Sequence, residues 1–139
     1  GRHAIYRAII EGLAYSLREG LEQLERKGSF TVKKVAVSGG ASQSDRICKI
    51  TADILNRPLV RGTTPETSAL GAAVLTAYAA GIHTSIAESA KRMIRIERTF
   101  EPDPGHRRLY DELYGIYTQI YPSLKHAYRR IREITGYPS

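Results

Sequence analysis

Apolar residues recur every three or four positions from the start of the chain, at Ile5, Ile9, Leu13, Leu17, Leu21 and Leu24, with Arg7, Glu11, Arg18, Glu22 and Glu25 between them. That spacing draws one stripe along a long amphipathic helix and predicts that the stripe faces the core. Gly28 stands where a C-cap would close it. The period then shortens. Lys34 to Val37 is brief, rich in valine and bounded by glycines, which predicts an interior strand of an α/β sheet. After Gly39 and Gly40 a second helix is predicted over about Ser42 to Leu55, burying Ile47, Ile50, Thr51 and Ile54.

"NRPLVRG" reads as a turn and a short strand at Leu59 to Val60. In "TTPETSALGAAVLTAYAAG" Thr64 is the expected N-cap, Pro65 the first helical residue, Glu66 part of the first turn and Gly81 the end. Ala69, Gly71, Ala72 and Ala73 carry little side-chain bulk, so another backbone is expected to pass close to this helix. A short helix over Ile86 to Met93, an extended segment "IRIERTFEPDP" crossing the surface and a final helix over roughly Gly105 to Ile134 complete the chain. Tyr110, Tyr114, Tyr117 and Tyr121 share one side of that last helix and are expected to pack rather than stack on bases. Strands alternating with helices predict an α/β architecture with parallel strands.

Composition narrows the picture. The 139 residues, 42% hydrophobic and 25% charged, suit one compact domain, and no apolar run approaches the roughly 20 residues that span a bilayer. Cys48 has no intramolecular partner and the N-terminus lacks the pattern of a secretory signal, so a cytoplasmic location is expected. The helical pattern begins within a few residues of Gly1 with no Met before it, which suggests a piece of a longer protein. The net charge of +7 comes largely from the last third, where Lys125, Arg129, Arg130 and Arg132 are interleaved with acids such as Glu133. Mixed charge of this kind is usual on solvated helix faces, so a nucleic-acid partner is not expected.

His3, His83, His106 and His126 lie far apart, and no metal cage is expected. Cys48, between apolar neighbours, reads as a buried inert thiol. Asp45, in a first helical turn, and Asp53, near a helix end, read as structural carboxylates, and Glu11 and Glu66 as scaffold groups bonding to backbone. The strand, Gly39-Gly40 and helix admit two readings. N–H groups of a glycine turn beside a helix start suit phosphate, yet a tight turn alone also needs glycine. The chain holds neither GxxxxGK[ST] nor GxGxxG, so a nucleotide would be held in another way.

Four motifs in order, a YRAxxEG helix, a GGA turn, an AD pair ending the next helix and an ExxALGAA helix, together resemble the C-terminal domain of the FGGY carbohydrate kinases over residues 4 to 81. The resemblance implies a partial ribonuclease-H-like, actin-like ATPase lobe, α/β, with mainly parallel short strands packed by long helices. It implies that residues 1–139 form a single C-terminal, nucleotide-binding domain, with the sugar-binding N-terminal lobe and its catalytic Asp lying outside it. It implies ATP and Mg²⁺ as cofactors and a sugar or polyol as acceptor. Gly39, Gly40 and Ala41 would meet the ADP moiety through their backbone, and Gln43 or Ser44 would line the base pocket; an Asn of glycerol kinase aligns with Ser44. A homodimer is open on this reading, and no membrane partner is expected. The rival reading is a noncatalytic module of the same fold that binds a polyanion through its basic terminal helix.

Overall fold

A computed structural model describes residues 1–137. Its elements, in chain order, are α1 (Arg2–Gly28), β1 (Val35–Val37), a 3₁₀ turn (Gly40–Gln43), α2 (Asp45–Leu55), β2 (Leu59–Gly62), α3 (Thr67–Ala79), α4 (Ile86–Met93), β3 (Ile96–Phe100), a second 3₁₀ turn (Pro104–His106) and α5 (Arg107–Thr135). No helix among the described residues is long and apolar enough to cross a membrane.

α2 is the hub. Its first turn is set by Ser44, whose hydroxyl accepts from the Ile47 N–H at 3.4 Å, and it ends at Asn56 in the left-handed region, a conformation that Asn tolerates. Between those ends nearly every residue from Cys48 to Leu55 is buried. One side of α2 gives Ile50 and Ile54 to a cluster with Ile10, Ala14 and Tyr15 of α1 and Tyr110 of α5. Its other side gives Cys48, Ala52 and Leu55 to a second cluster with Leu59 of β2 and Phe100 of β3. Arg18 ties the helices together, donating to the Ile54 carbonyl at 3.2 Å and to Asp111 at 2.7 Å while its guanidinium lies 4.2 Å from the Tyr114 ring centroid.

The sheet has three strands in the order β1-β2-β3. β1 and β2 run parallel, with Val35 opposite Leu59 and Val37 opposite Arg61. β3 runs antiparallel to β2, with Phe100 opposite Leu59 and Arg98 opposite Arg61. The sheet is therefore mixed, and β1 lies at its edge rather than inside. The segment expected to cross the surface is a strand, because its alternating "IERTF" finds the open side of β2.

Other expectations change at the level of single residues. The α1 stripe does not face the core: Ile5, Ile9, Leu13, Leu17 and Leu24 are 57% to 66% exposed, and of the six only Leu21 packs against a buried cluster. The helix turns a second set, Ile10, Ala14 and Tyr15, inward. Positive φ at the end of α1 falls on Ser29, not Gly28; Gly28 is needed for room, since a Cβ there would lie 2.1 Å from the Phe30 ring. α3 begins at Thr67 rather than Pro65, with Thr64 accepting the Glu66 N–H at 3.1 Å in a turn before it. At its end the Ile82 N–H donates to the Ala77 carbonyl at 2.9 Å around Gly81, whose φ is +72°. Ala69, Gly71, Ala72 and Ala73 stand exposed, and nothing approaches the place of a Cβ at Gly71 among the described residues. Tyr110, Tyr114 and Tyr117 pack around Tyr15, whereas Tyr121 is exposed and stacks on Tyr128.

Candidate functional site

The turn expected to carry function leaves β1 at Ser38 and bends at Gly39, where φ is +82°, a region that glycine enters at little cost. Ser42 closes it. Its N–H and its hydroxyl both donate to the Gly39 carbonyl, at 3.2 and 2.6 Å, and the side chain is buried. Gly40, by contrast, has an ordinary φ and open space where a Cβ would stand. Gly39 thus serves the bend, while the bareness of Gly40 has no internal use.

Below the turn the Ser42 carbonyl accepts from the Cys48 thiol at 3.3 Å and from Arg61 Nη1 at 2.9 Å. Burial pushes the Cys48 thiol above its ordinary range, against the pull of Arg61, which keeps its proton in place for that bond. Arg61 also donates to Asp45 at 2.9 Å and to Glu97 at 3.0 Å, and Arg98 pairs with the other Asp45 oxygen. Asp45 is therefore occupied by two guanidinium groups, consistent with its structural reading.

The site residues named from the sequence are brought together in part. Gly39, Gly40 and Ala41 form the outer rim of the turn, at the C-terminal end of a strand that is parallel to its neighbour, where open α/β sheets place their ligand crevices. Two cavities flank that end. One, of about 280 Å³, lies between α1 and the turn and is lined by Leu13, Leu17, Ser38, Ala41, Ser42 and Cys48 among others. The second, of about 300 Å³, lies towards the start of α3, with Ser38, Thr63, Thr64, Thr67, Leu70 and Arg95 in its wall. Gln43 is exposed, its amide touching only the Ser42 hydroxyl at 3.5 Å. Ser44 is spent in part as the α2 cap, and borders a recess of about 50 Å³ with Tyr6, Arg7 and Arg46.

Asp53 is a buried anchor away from this turn. Its carboxylate takes Lys49 at 2.8 Å, the Asp103 N–H at 2.7 Å and His106 at 3.0 Å, joining α2 to the entrance of α5. Glu11 bonds to side chains, not to backbone: Arg7 donates to it at 2.8 Å and the Tyr110 hydroxyl at 3.3 Å. Sequence reasoning passed over Arg61, although a charged residue inside "LVRG" on a buried strand is itself a signal that acceptors must meet it.

Comparison with known proteins agrees with this geometry. Residues 2–80 match the model of the FGGY family of carbohydrate kinases, C-terminal domain. A xylulose kinase of Staphylococcus epidermidis is 31% identical over 94% of this chain and 26% of its own length. A glycerol kinase of Pseudothermotoga lettingae is 39% identical over 81% of this chain and 22% of its own. The crystal structure of xylulose kinase from Rhodospirillum rubrum superposes with a TM-score of 0.80 at 27% identity, over 93% of this chain and 26% of that one. The chain spans about a quarter of the length of the curated relatives it matches. With its actin-like α/β fold and a family match over residues 2–80, the chain belongs to the FGGY family of carbohydrate kinases, through their C-terminal domain.

Proposed function

We propose that residues 1–139 are a C-terminal, nucleotide-binding domain of an ATP-dependent kinase that phosphorylates a hydroxyl of a sugar or polyol, with Gly39, Gly40, Ala41, Gln43 and Ser44 against the ADP moiety. The observation that carries the reading is Gly40: open space stands where its side chain would be, on the outer rim of a locked turn at the end of a parallel strand. The residues fit a nucleotide. Helix starts leave their first N–H groups without intrahelical partners, and the nearby carboxylate, Asp45, is neutralised by Arg61 and Arg98, so no free negative charge repels a phosphate.

ATP, with Mg²⁺, supplies the transferable phosphoryl group when bound. Phosphoryl transfer is chiefly positioning and charge stabilisation, and this chain's share is positioning: a rigid turn for the nucleotide, with Ser44 and its recess towards the base. No residue here is assigned to Mg²⁺ or to proton removal from the acceptor; the base and the acceptor pocket belong to a preceding lobe. Alone, the chain is expected to bind and not to turn over. A cytoplasmic setting follows from the single, buried and unpaired thiol.

A second reading, a module that grips a polyanion through α5, is favoured by one observation: residues 119–137 are exposed on every side and include Lys125, Arg129, Arg130 and Arg132.

Titration with MgADP, followed by calorimetry and amide NMR, tests the first reading. Saturable binding with shifts at Gly39 to Ser44 is expected. Gly40→Val has room in the protein and no backbone strain, so it should fold normally and weaken MgADP at least tenfold. A folded Gly40→Val with unchanged MgADP affinity would remove the nucleotide role from this turn.

A further inference from the structure

The bonds beneath the turn form a continuous chain of contacts. Glu97 of β3 receives Arg61 Nε at 3.0 Å; Arg61 of β2 donates through Nη1 to the Ser42 carbonyl at 2.9 Å; Ser42 donates to the Gly39 carbonyl at 2.6 Å. Two strands of the sheet are thereby wired to the backbone that makes the rim. The wire is stiff. The Arg61 side chain is only 9% exposed, its planar fork serves three acceptors at once, and its guanidinium carbon stands 5.4 Å from the Phe100 ring centroid. Charge is balanced locally, Arg61 and Arg98 against Asp45 and Glu97, so the buried guanidinium is fully compensated.

A buried arginine at the end of a short strand is not required by the sheet, because a branched apolar residue would continue the run of Leu59 and Val60. Its position makes sense through the Ser42 carbonyl. That carbonyl sits within the turn, and a lost donor beneath it frees the turn to shift by the few tenths of an ångström that a backbone-made phosphate site does not tolerate.

We propose that Arg61 is a positioning residue for the nucleotide turn, holding the Ser42 carbonyl and through it the backbone of Gly39 to Ala41 in the geometry that receives ADP. This rests on the nucleotide reading of the turn. It adds that the residues which set nucleotide affinity extend to β2 and β3, on side chains that never touch the ligand.

Arg61→Lys in the intact kinase is the test, with MgADP as the probe and calorimetry performed well below the unfolding temperature of each variant. Lysine keeps the charge and cannot serve Glu97, Asp45 and Ser42 together. The expected result is a Kd for MgADP raised about tenfold, with amide shifts of Gly39 to Ala41 displaced before nucleotide is added. A folded Arg61→Lys with lowered thermal stability and unchanged Kd would overturn the proposal, since a purely structural arginine moves the first quantity and not the second. Where Arg61→Lys does not fold, Glu97→Gln, at a half-exposed carboxylate that steadies Arg61 from its far side, takes the same readout, with a smaller rise expected and an unchanged Kd overturning it. Gly40→Val separates the two levels. If it weakens MgADP while Arg61→Lys does not, only the positioning role fails; if wild type does not bind MgADP at the turn, the nucleotide reading itself fails.

Discussion

Asp53 shows how much one carboxylate can carry. Burial pushes its pKa up, yet Lys49, the Asp103 N–H and His106 together outweigh burial and hold it below the ordinary carboxylate range. A folded-state pKa below the unfolded value gives stability that is present above the unfolded pKa, near 4, and is lost as pH falls through the folded one. Asp53→Asn should cost about 2 kcal/mol at neutral pH in urea unfolding, and its deficit against wild type should shrink as pH drops below about 4. A constant deficit from neutral pH down to acid would show that shape, not charge, is what Asn loses. The sequence was enough to read Asp53 as structural, because it stands at a helix end. Its partners were not legible: Asp103 and His106 lie about fifty residues on in the chain, and only the fold brings them together. Arg61 was hidden in the same way, its acceptors lying on α2, the turn and β3.

At the scale of elements, hydrophobic period located every helix and misjudged which side of α1 is inward. Periodicity marks apolar residues; it does not say which neighbour covers them. α1 carries two apolar sets, and in this chain the set at Ile10, Ala14 and Tyr15 is covered while the more regular one is not. The contrast can be measured. Leu17→Gln, at a 60% exposed position, should change stability by less than about 0.5 kcal/mol, whereas Ile54→Ala, at a fully buried one, should cost about 3 kcal/mol. Comparable losses for both in urea titrations of this chain would mean that the stripe is packed in solution. The segment before α5 was read as irregular for a related reason: strand pairing needs a partner, and the open side of β2 is not visible from local pattern. The α2 cap and the glycine turn were legible because both rest on local rules, a hydroxyl that accepts an N–H and a φ that glycine enters freely.

Seen whole, the molecule has two buried layers on either side of α2 and several surfaces that stay open: the α1 stripe, the small-residue side of α3 and the far half of α5. Fold class followed from the alternation of elements and the four family motifs, while the mixed sheet required the structure. The layer on the sheet side holds the chain's single cysteine, 1% exposed, with its thiol bonded to the carbonyl beneath the nucleotide turn. A reagent such as Ellman's can reach that sulfur only after Ser42 has moved or the layer around Ala52, Leu55, Leu59 and Phe100 has parted. Its labelling rate is therefore a clock for the opening of the turn, with no second thiol to confuse the signal. Saturating MgADP should slow the clock at least tenfold, Arg61→Lys should quicken it, and an indifferent rate would mean that the thiol is released by motions the nucleotide does not feel. In this chain the residue that looked most inert in the sequence doubles as a native probe of how tightly the proposed site is shut.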